Sequence, residues 1–330
     1  MLVVTGGGGF VGSVLCAALN DSGRDDIVIV DRFGSDGKWR NIAKRDFHDI
    51  LPVDGLLPWL DRHGAEVEAV FHLGAISATT ASDADLIIAN NLNYSIALWR
   101  WCAAHAKPLI YASSAATYGD GAAGFDDSGG LPALKRLRPL NLYGWSKHAF
   151  DLWAMRQAAA GRAPPAWYGL KLFNVFGPNE QHKGEMMSLV AKNWRKIAGG
   201  ETVHLFRSHR PDYADGEQRR DFVYVKDCVA VMLWLWRRSN DAEIGGIYNL
   251  GSGAARTFLD LTNATAAACG VAPNVAFIDI PPDIRPSYQY FTEAKMSRLR
   301  EAGYNAPFTP LEEAVRDCVS YYRAEADPYL

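Results

Sequence analysis

Two patterns of apolar and polar positions alternate along the first half of the chain. Short, nearly uninterrupted apolar runs predict strands at residues 2–5, 27–31, 69–73, 109–113 and 168–173. Between them, apolar positions spaced by three and four predict helices at 11–20, 86–105 and 143–160. The run Ile27-Val28-Ile29-Val30 has no polar face, which suits a strand covered on both sides of a parallel sheet. This alternation predicts an α/β fold, a Rossmann-like doubly wound parallel sheet with its ligand crevice at the strand C-termini.

After Phe173 the alternation loosens. A helix is expected at 186–198, a strand at 203–206 and a polar stretch at 208–219. Strands at 221–225 and 247–250 flank an apolar helix at 228–237. Residues 281–286 read as a loop and 311–323 as a final helix. We therefore expect a dinucleotide-binding domain over 1–173, to which 221–252 returns. A smaller C-terminal substrate-binding lobe takes 174–220 and 253–330.

Composition narrows the function classes. The net charge of -3 gives no electrostatic footprint for nucleic acid or an anionic membrane, so an anionic ligand must be held by a local site. No apolar run reaches the ~18–20 residues of a membrane span. The N-terminus reads directly into a strand with no signal peptide, and a cytoplasmic location is expected. Cys16, Cys102, Cys228, Cys269 and Cys318 are scattered, without a Cys-x-x-Cys pair. They read as free thiols, and no metal site is expected.

Between the first strand and helix, Gly6, Gly9 and Gly12 give the spacing G-x-x-G-x-x-G. Glycine allows a tight turn and lets a pyrophosphate approach the amides of a helix N-terminus. Asp31, at the next strand end, suits the adenosine ribose and favours NAD. Arg32, Lys38 and Arg40 follow it and could pair with a 2′-phosphate, favouring NADP. The other reading of Lys38 and Arg40 is a solvated loop.

Tyr143 and Lys147 are four apart and share one helix face. A tyrosine with a pKa near 10 needs roughly 4 kcal/mol of phenolate stabilisation to act near neutrality, at about 1.4 kcal/mol per pH unit. A neighbouring ammonium and a cationic nicotinamide ring can supply much of it. Ser113-Ser114 ends the strand at 109–113, at the correct edge of the sheet to hold a substrate oxygen.

These residues resemble the extended short-chain dehydrogenase/reductase family of nucleotide-sugar enzymes over nearly the whole chain. The resemblance implies a triad of Ser114, Tyr143 and Lys147, with Ser114 just before Ala115-Ala116-Thr117-Tyr118-Gly119. Sugar 4,6-dehydratases of this family carry an Asp-Glu pair where this chain has Ala115-Ala116, so water elimination lacks its acid and base. The segments 74–80, 111–119, 173–178, 182–184, 220–225 and 288–289 are similar to ADP-L-glycero-D-manno-heptose 6-epimerases.

In that branch, the resemblance implies oxidation of the sugar C6″ hydroxyl by NADP and return of the hydride to the opposite face. Inversion then needs a proton handler on each face, and the matching positions are Tyr143 and Lys183. From spacing alone, Lys183 also reads as a surface or phosphate-contacting lysine. Phe10, Val11, Asp31, Arg32, Lys38, Leu73, Gly74, Ala75, Ile76, Ser77, Asn90, Lys147, Val175 and Lys183 match cofactor contacts. Ser77, Ser114, Asn174, Glu185, Lys192, Phe206, Arg220 and Tyr288 match substrate contacts. Arg220 suits the ADP pyrophosphate; its other reading is an ion pair with Asp227 or another acid.

The resemblance further implies a tightly bound cofactor (NADP, with NAD the alternative), a homo-oligomer, and a part in making lipopolysaccharide heptose. The chain departs from the pattern where a cofactor lysine is Val53 and a glutamate is Leu73. A substrate serine is Glu185, a histidine is Lys192, and 209–218 looks inserted. A carboxylate at 185 near a phosphorylated sugar needs a hydroxyl or a cation beside it. The rival readings are a UDP-hexose 4-epimerase, in which one tyrosine serves both faces, a net sugar reductase, and a non-catalytic dinucleotide sensor.

Overall fold

The computed structural model describes residues 1–241, 244–282, 284–285, 288–324 and 326–330. Positions 283 and 286 of the expected 281–286 loop therefore lie outside the described residues. The first half of the chain forms β1 (Leu2–Thr5), α1 (Phe10–Asp21), β2 (Ile27–Val30), β3 (Asp49–Leu51), α2 (Leu56–His63) and β4 (Ala69–His72). It continues with α3 (Ala84–Ile87), α4 (Tyr94–Ala104), β5 (Leu109–Ser114), α5 (Gly130–Leu134), α6 (Leu142–Ala159) and β6 (Trp167–Leu172). The second half contributes β7 (Asn174–Phe176), α7 (Leu189–Ala198), β8 (Val203–Phe206), β9 (Arg219–Tyr224), α8 (Val225–Arg237) and β10 (Gly246–Leu250). Then follow β11 (Ala255–Thr257), α9 (Phe258–Cys269), β12 (Val275–Ile278), α10 (Ser297–Glu301) and α11 (Leu311–Arg323).

Seven strands make one parallel sheet in the order β10-β6-β5-β4-β1-β2-β3. Every residue of β1, β2 and β4 is buried, which is why they read as uninterrupted apolar runs. Leu2, Val4, Ile29 and Phe71 face a core shared with α1, α8, α9 and α11. Val3, Val28, Val30 and Val70 face the opposite core, with α2, α4 and α6. Strand order reverses at β1/β4, so their C-terminal loops part and leave a crevice. Beyond the main sheet, β7, β9 and β11 form a three-stranded sheet, and β8 pairs with β12.

Several expected elements have different bounds. The helix expected at 86–105 is interrupted by a π-turn at Ile88–Asn93. There the Asn91 side chain turns inward, bonding the Ile76 amide (2.9 Å), the Ile76 carbonyl (3.0 Å) and Ser146 Oγ (3.1 Å). The helix expected from 186 starts at Leu189, because Ser188 Oγ accepts from the Ala191 amide and caps it. Gly184, at φ 53°, breaks the preceding turn. The helix expected from 228 starts at Val225. The short edge strand β3 and the helices α2 and α9 were not expected, although Thr257 and Asp260 form a capping box that marks the start of α9. The five cysteines are free and buried. No helix among the described residues is long and apolar enough to cross a membrane.

Candidate functional site

A cleft of about 780 Å³ runs past the C-terminal ends of β1, β4, β5 and β6. Its floor is the glycine loop. Gly6 sits at φ +70°, and a Cβ there would lie 2.6 Å from the Gly74 nitrogen. A Cβ on Gly12 would lie 2.1 Å from the Gly6 carbonyl oxygen. Both positions therefore require glycine. The N-cap of α1 is Gly9, and no side chain caps the first turn. Its amides are left for a ligand, so this cradle fits a dinucleotide pyrophosphate.

Asp31 closes one end of the cradle. Its Oδ2 accepts from the Gly8 amide at 2.9 Å, and its Oδ1 accepts from Lys38 Nζ at 2.8 Å. Lys38 is thus a paired residue of the cleft rather than part of a solvated loop. Arg40 is exposed, over the Trp39 ring. Arg32 is also exposed, 3.6 Å from Asp54. Val11, the 73–77 segment, Asn174 and Val175 line the cleft. Asn90 does not line it, and donates to Asn91 Oδ1.

The α6 N-terminus delivers Tyr143 to the end of β5. Asn141 Oδ1 accepts from the Gly144 amide at 2.8 Å and caps the helix. Gly144 lets this turn sit against Ala116, whose carbonyl would be 2.7 Å from a Cβ there. Burial pushes the Tyr143 phenol above its ordinary value, and a hydrogen bond with the Ser114 hydroxyl pulls it back in part. One turn on, Lys147 is buried and donates to the Ala112 carbonyl at 2.7 Å. Burial carries its pKa down to about 8, opposed by Asp151. One further turn along, Asp151 accepts from Tyr111 Oη (3.1 Å), Ser113 Oγ (2.7 Å) and Lys171 Nζ (2.8 Å). Tyr143, Lys147 and Asp151 thus form one helical stripe pinned to β5 and β6.

Lys183 opens into the same cleft from the turn before α7. Its Nζ lies 3.7 Å from Glu180 Oε2 and 4.9 Å from the centre of the Phe10 ring. Burial lowers its pKa, and Glu180 opposes that shift. The Lys183 side chain is 23% exposed and lines the cleft, so a lysine remote from the candidate site is excluded.

Phe206, Arg220 and Tyr288 form a second cluster, joined to the cleft through Phe258 and Gln289. The Arg220 guanidinium is buried between the Phe258 and Tyr288 rings. It donates to the carbonyls of Arg219 and Gln289. The expected alternative partner, Asp227, instead accepts from the Thr309 amide and hydroxyl, both at 2.8 Å. No carboxylate lies within ion-pair distance of Arg220 among the described residues. Exposed Glu185 does find a cation, Lys192 at 2.8 Å. The 209–218 stretch folds back on this cluster: the His209 amide donates to Tyr290 Oη, and Arg210 lies over the rings of Tyr213 and Tyr290.

Sequence reasoning did not single out Glu180, Asp151, Lys171 or Asn91. Asp151 had a readable signal, since it continues the four-residue spacing of Tyr143 and Lys147. Glu180 lies three residues before Lys183, within one turn. Lys171 and Asn91 are defined by contacts between distant segments and left no local pattern.

Residues 2–251 match the NAD dependent epimerase/dehydratase family. The ADP-L-glycero-D-manno-heptose-6-epimerase of Nitratidesulfovibrio vulgaris (strain DP4) is 46% identical over 338 residues, 100% of each chain. Among solved structures, the Helicobacter pylori ADP-L-glycero-D-manno-heptose-6-epimerase has a TM-score of 0.80 at 25% identity, covering 98% of this chain and 96% of that one. MoeE5 in complex with UDP-glucose and NAD has a TM-score of 0.77 at 25% identity, covering 99% of each chain. The glycine cradle and the Ser114–Tyr143–Lys147 arrangement lie within the matched residues, and the chain belongs to the NAD dependent epimerase/dehydratase family.

Proposed function

We propose that this protein interconverts the C6″ epimers of an ADP-glycero-manno-heptose, taking the D-glycero form to the L-glycero form. The observation that carries the reading is the placement of two proton-handling groups, Tyr143 and Lys183, in one cleft on separate elements. A nicotinamide cofactor on the glycine cradle supplies the hydride acceptor and donor. Ser114 orients the sugar oxygen, and Lys147 holds positive charge one turn from the Tyr143 phenol. As the carbon is oxidised, one of Tyr143 and Lys183 takes the hydroxyl proton. The other gives a proton to the oxygen as hydride returns to the opposite face. Arg220 and its aromatic neighbours take the pyrophosphate end.

The finer cofactor reading is tightly held NADP, with the 2′-phosphate taken by Lys38 and by Arg32 swinging from Asp54. NAD is the alternative, read through Asp31. The same reading includes the 174–220 and 253–330 substrate lobe, a homo-oligomer, a cytoplasmic location and a part in lipopolysaccharide heptose synthesis.

Proton NMR of ADP-D-glycero-D-manno-heptose, incubated with purified protein and no added cofactor, tests the proposal. The wild type is expected to accumulate the L-glycero epimer. Lys183→Met is expected to lose roughly 10²–10⁴-fold in rate, the scale of one positioned acid/base. No conversion by cofactor-loaded wild type overturns the heptose assignment. Undiminished turnover by Lys183→Met overturns the two-group mechanism and favours a single tyrosine serving both faces of the sugar.

A further inference from the structure

The turn that carries Lys183 holds a second ionisable group that the reading above leaves without a role. Glu180 is 0% exposed, and its carboxylate is held from several sides. Its Oε1 accepts from Ser188 Oγ at 2.6 Å, Tyr322 Oη at 3.2 Å and the Gly177 amide at 3.4 Å. Its Oε2 accepts from the Ser188 amide at 2.7 Å and faces Lys183 Nζ at 3.7 Å. The Lys183 amide closes the turn onto the Glu180 carbonyl at 3.0 Å. Asn179, at φ 72°, makes the corner before it and donates to Ser13 Oγ of α1 at 3.0 Å. An acceptor fixed by this many donors cannot follow a moving partner, so the lysine must come to the carboxylate. On its other side the ammonium meets the Phe10 ring.

We propose that Glu180 is a positioning residue for Lys183, holding its ammonium at the cleft and setting how readily it releases its proton. The proposal rests on the reading of Lys183 as the second acid/base. Glu180 is the charged group that opposes the effect of burial on Lys183. The other titratable groups packed here are His182, bonded to Asn41 Nδ2, and Cys318 and Tyr322 on α11. Burial lowers the His182 pKa, with Asp36 and Asp31 opposing that shift and Lys38 and Lys183 adding to it. A carboxylate at this range favours the charged ammonium, and its removal moves the lysine pKa down. Lys183→Met first identifies which limb of the pH–kcat profile belongs to the lysine.

Glu180→Gln, compared as holoenzyme with the wild type, is expected to shift that limb to lower pH by about one unit. Loss of the positioning contact is expected to lower kcat on the pH plateau severalfold, with KM and cofactor content held within about threefold. Glu180→Asp keeps the charge and should restore most of the limb's position, which also covers a Glu180→Gln protein that fails to fold. Tyr322→Phe removes another donor to Glu180 and should leave the limb in place. Equal limbs in wild type and Glu180→Gln, with Lys183→Met inactive, overturn the positioning role alone. The same shift in Tyr322→Phe and Glu180→Gln also overturns it, since the effect is then general loosening of the turn. Retained turnover by Lys183→Met overturns both readings together.

Discussion

Arg220 separates ligand binding from folding more sharply than the other residues of the site. The residue is 7% exposed, its hydrogen-bond acceptors are backbone carbonyls, and burial lowers its pKa. In Arg220→Met the protein loses two charge-assisted carbonyl bonds, at about 1.5–3 kcal/mol each, and two ring contacts at about 0.5–1 kcal/mol each, together roughly 4–8 kcal/mol. It also sheds a buried cation with no counter-charge, a relief of several kcal/mol. The two terms oppose each other and are of similar size, so thermal stability should change little.

Substrate binding should respond differently. A pyrophosphate oxygen 4 Å from the guanidinium gains about 4 kcal/mol at an effective dielectric near 20. After exchange with water, charge-assisted hydrogen bonds are worth about 1.5–3 kcal/mol net. At 1.4 kcal/mol per decade this is roughly a 10- to 200-fold rise in KM for the ADP-sugar. Steady-state epimerisation and differential scanning calorimetry on the same preparation measure both quantities. A KM near that of wild type, with a stability loss of about 3 kcal/mol (roughly 4 °C), would refute the argument and make Arg220 a residue of the fold.

Three further outcomes follow from named contacts. Lys171 and Asp151 are both 0% exposed and 2.8 Å apart, so Lys171→Met should cost about 3–5 kcal/mol in urea unfolding, and Lys171→Met/Asp151→Leu should recover only part of it, because Tyr111 and Ser113 lose their acceptor. Lys147 has an ordinary pKa of 10.5 and a folded value of about 8, so the unfolded chain binds more protons between these values and stability rises with pH across that window. Lys147→Met should therefore lack a rise of roughly 3 kcal/mol, at about 1.36 kcal/mol per pH unit; parallel stability curves between pH 7.5 and 10.5 would contradict this. Arg32, 62% exposed at its side chain and loosely paired with Asp54, should matter only for the 2′-phosphate. Calorimetric titration of Arg32→Ala should show NADP weakened about tenfold and NAD unchanged.

What the sequence revealed depended on how far apart the cooperating residues lie. The strands Leu2–Thr5 and Ile27–Val30 are buried on both faces, and their apolar runs were legible. Ser114, Tyr143 and Lys147 were legible because a strand end and a four-residue helical spacing are local. The π-turn at Ile88–Asn93 was not, because the bonds that accompany it reach Ile76 and Ser146. The Asp151–Lys171 pair joins α6 to β6, and neither residue announces the other. Glu185 looked like a misplaced charge until its cation, seven residues away across the start of α7, was located. The isolation of Arg220 was illegible for the same reason, since its aromatic walls come from residues 258 and 288.

The buried cations now fall into two kinds. Lys171 has a carboxylate at 2.8 Å and serves the fold. Lys147 and Arg220 have carbonyl acceptors, and burial lowers the pKa of each. Lys183, 23% exposed at its side chain, stands between these kinds, with Glu180 at 3.7 Å. A chain with net charge -3 does not draw an anionic nucleotide-sugar through its overall field. On the proposed reading, the ligand would instead be met by cations left incompletely paired at separate points of the site, and its binding would complete them. Stability and binding are then opposed at Lys147 and Arg220 and aligned at Lys171. Methionine at the first two should lower function while sparing the fold, and at Lys171 it should damage the fold first.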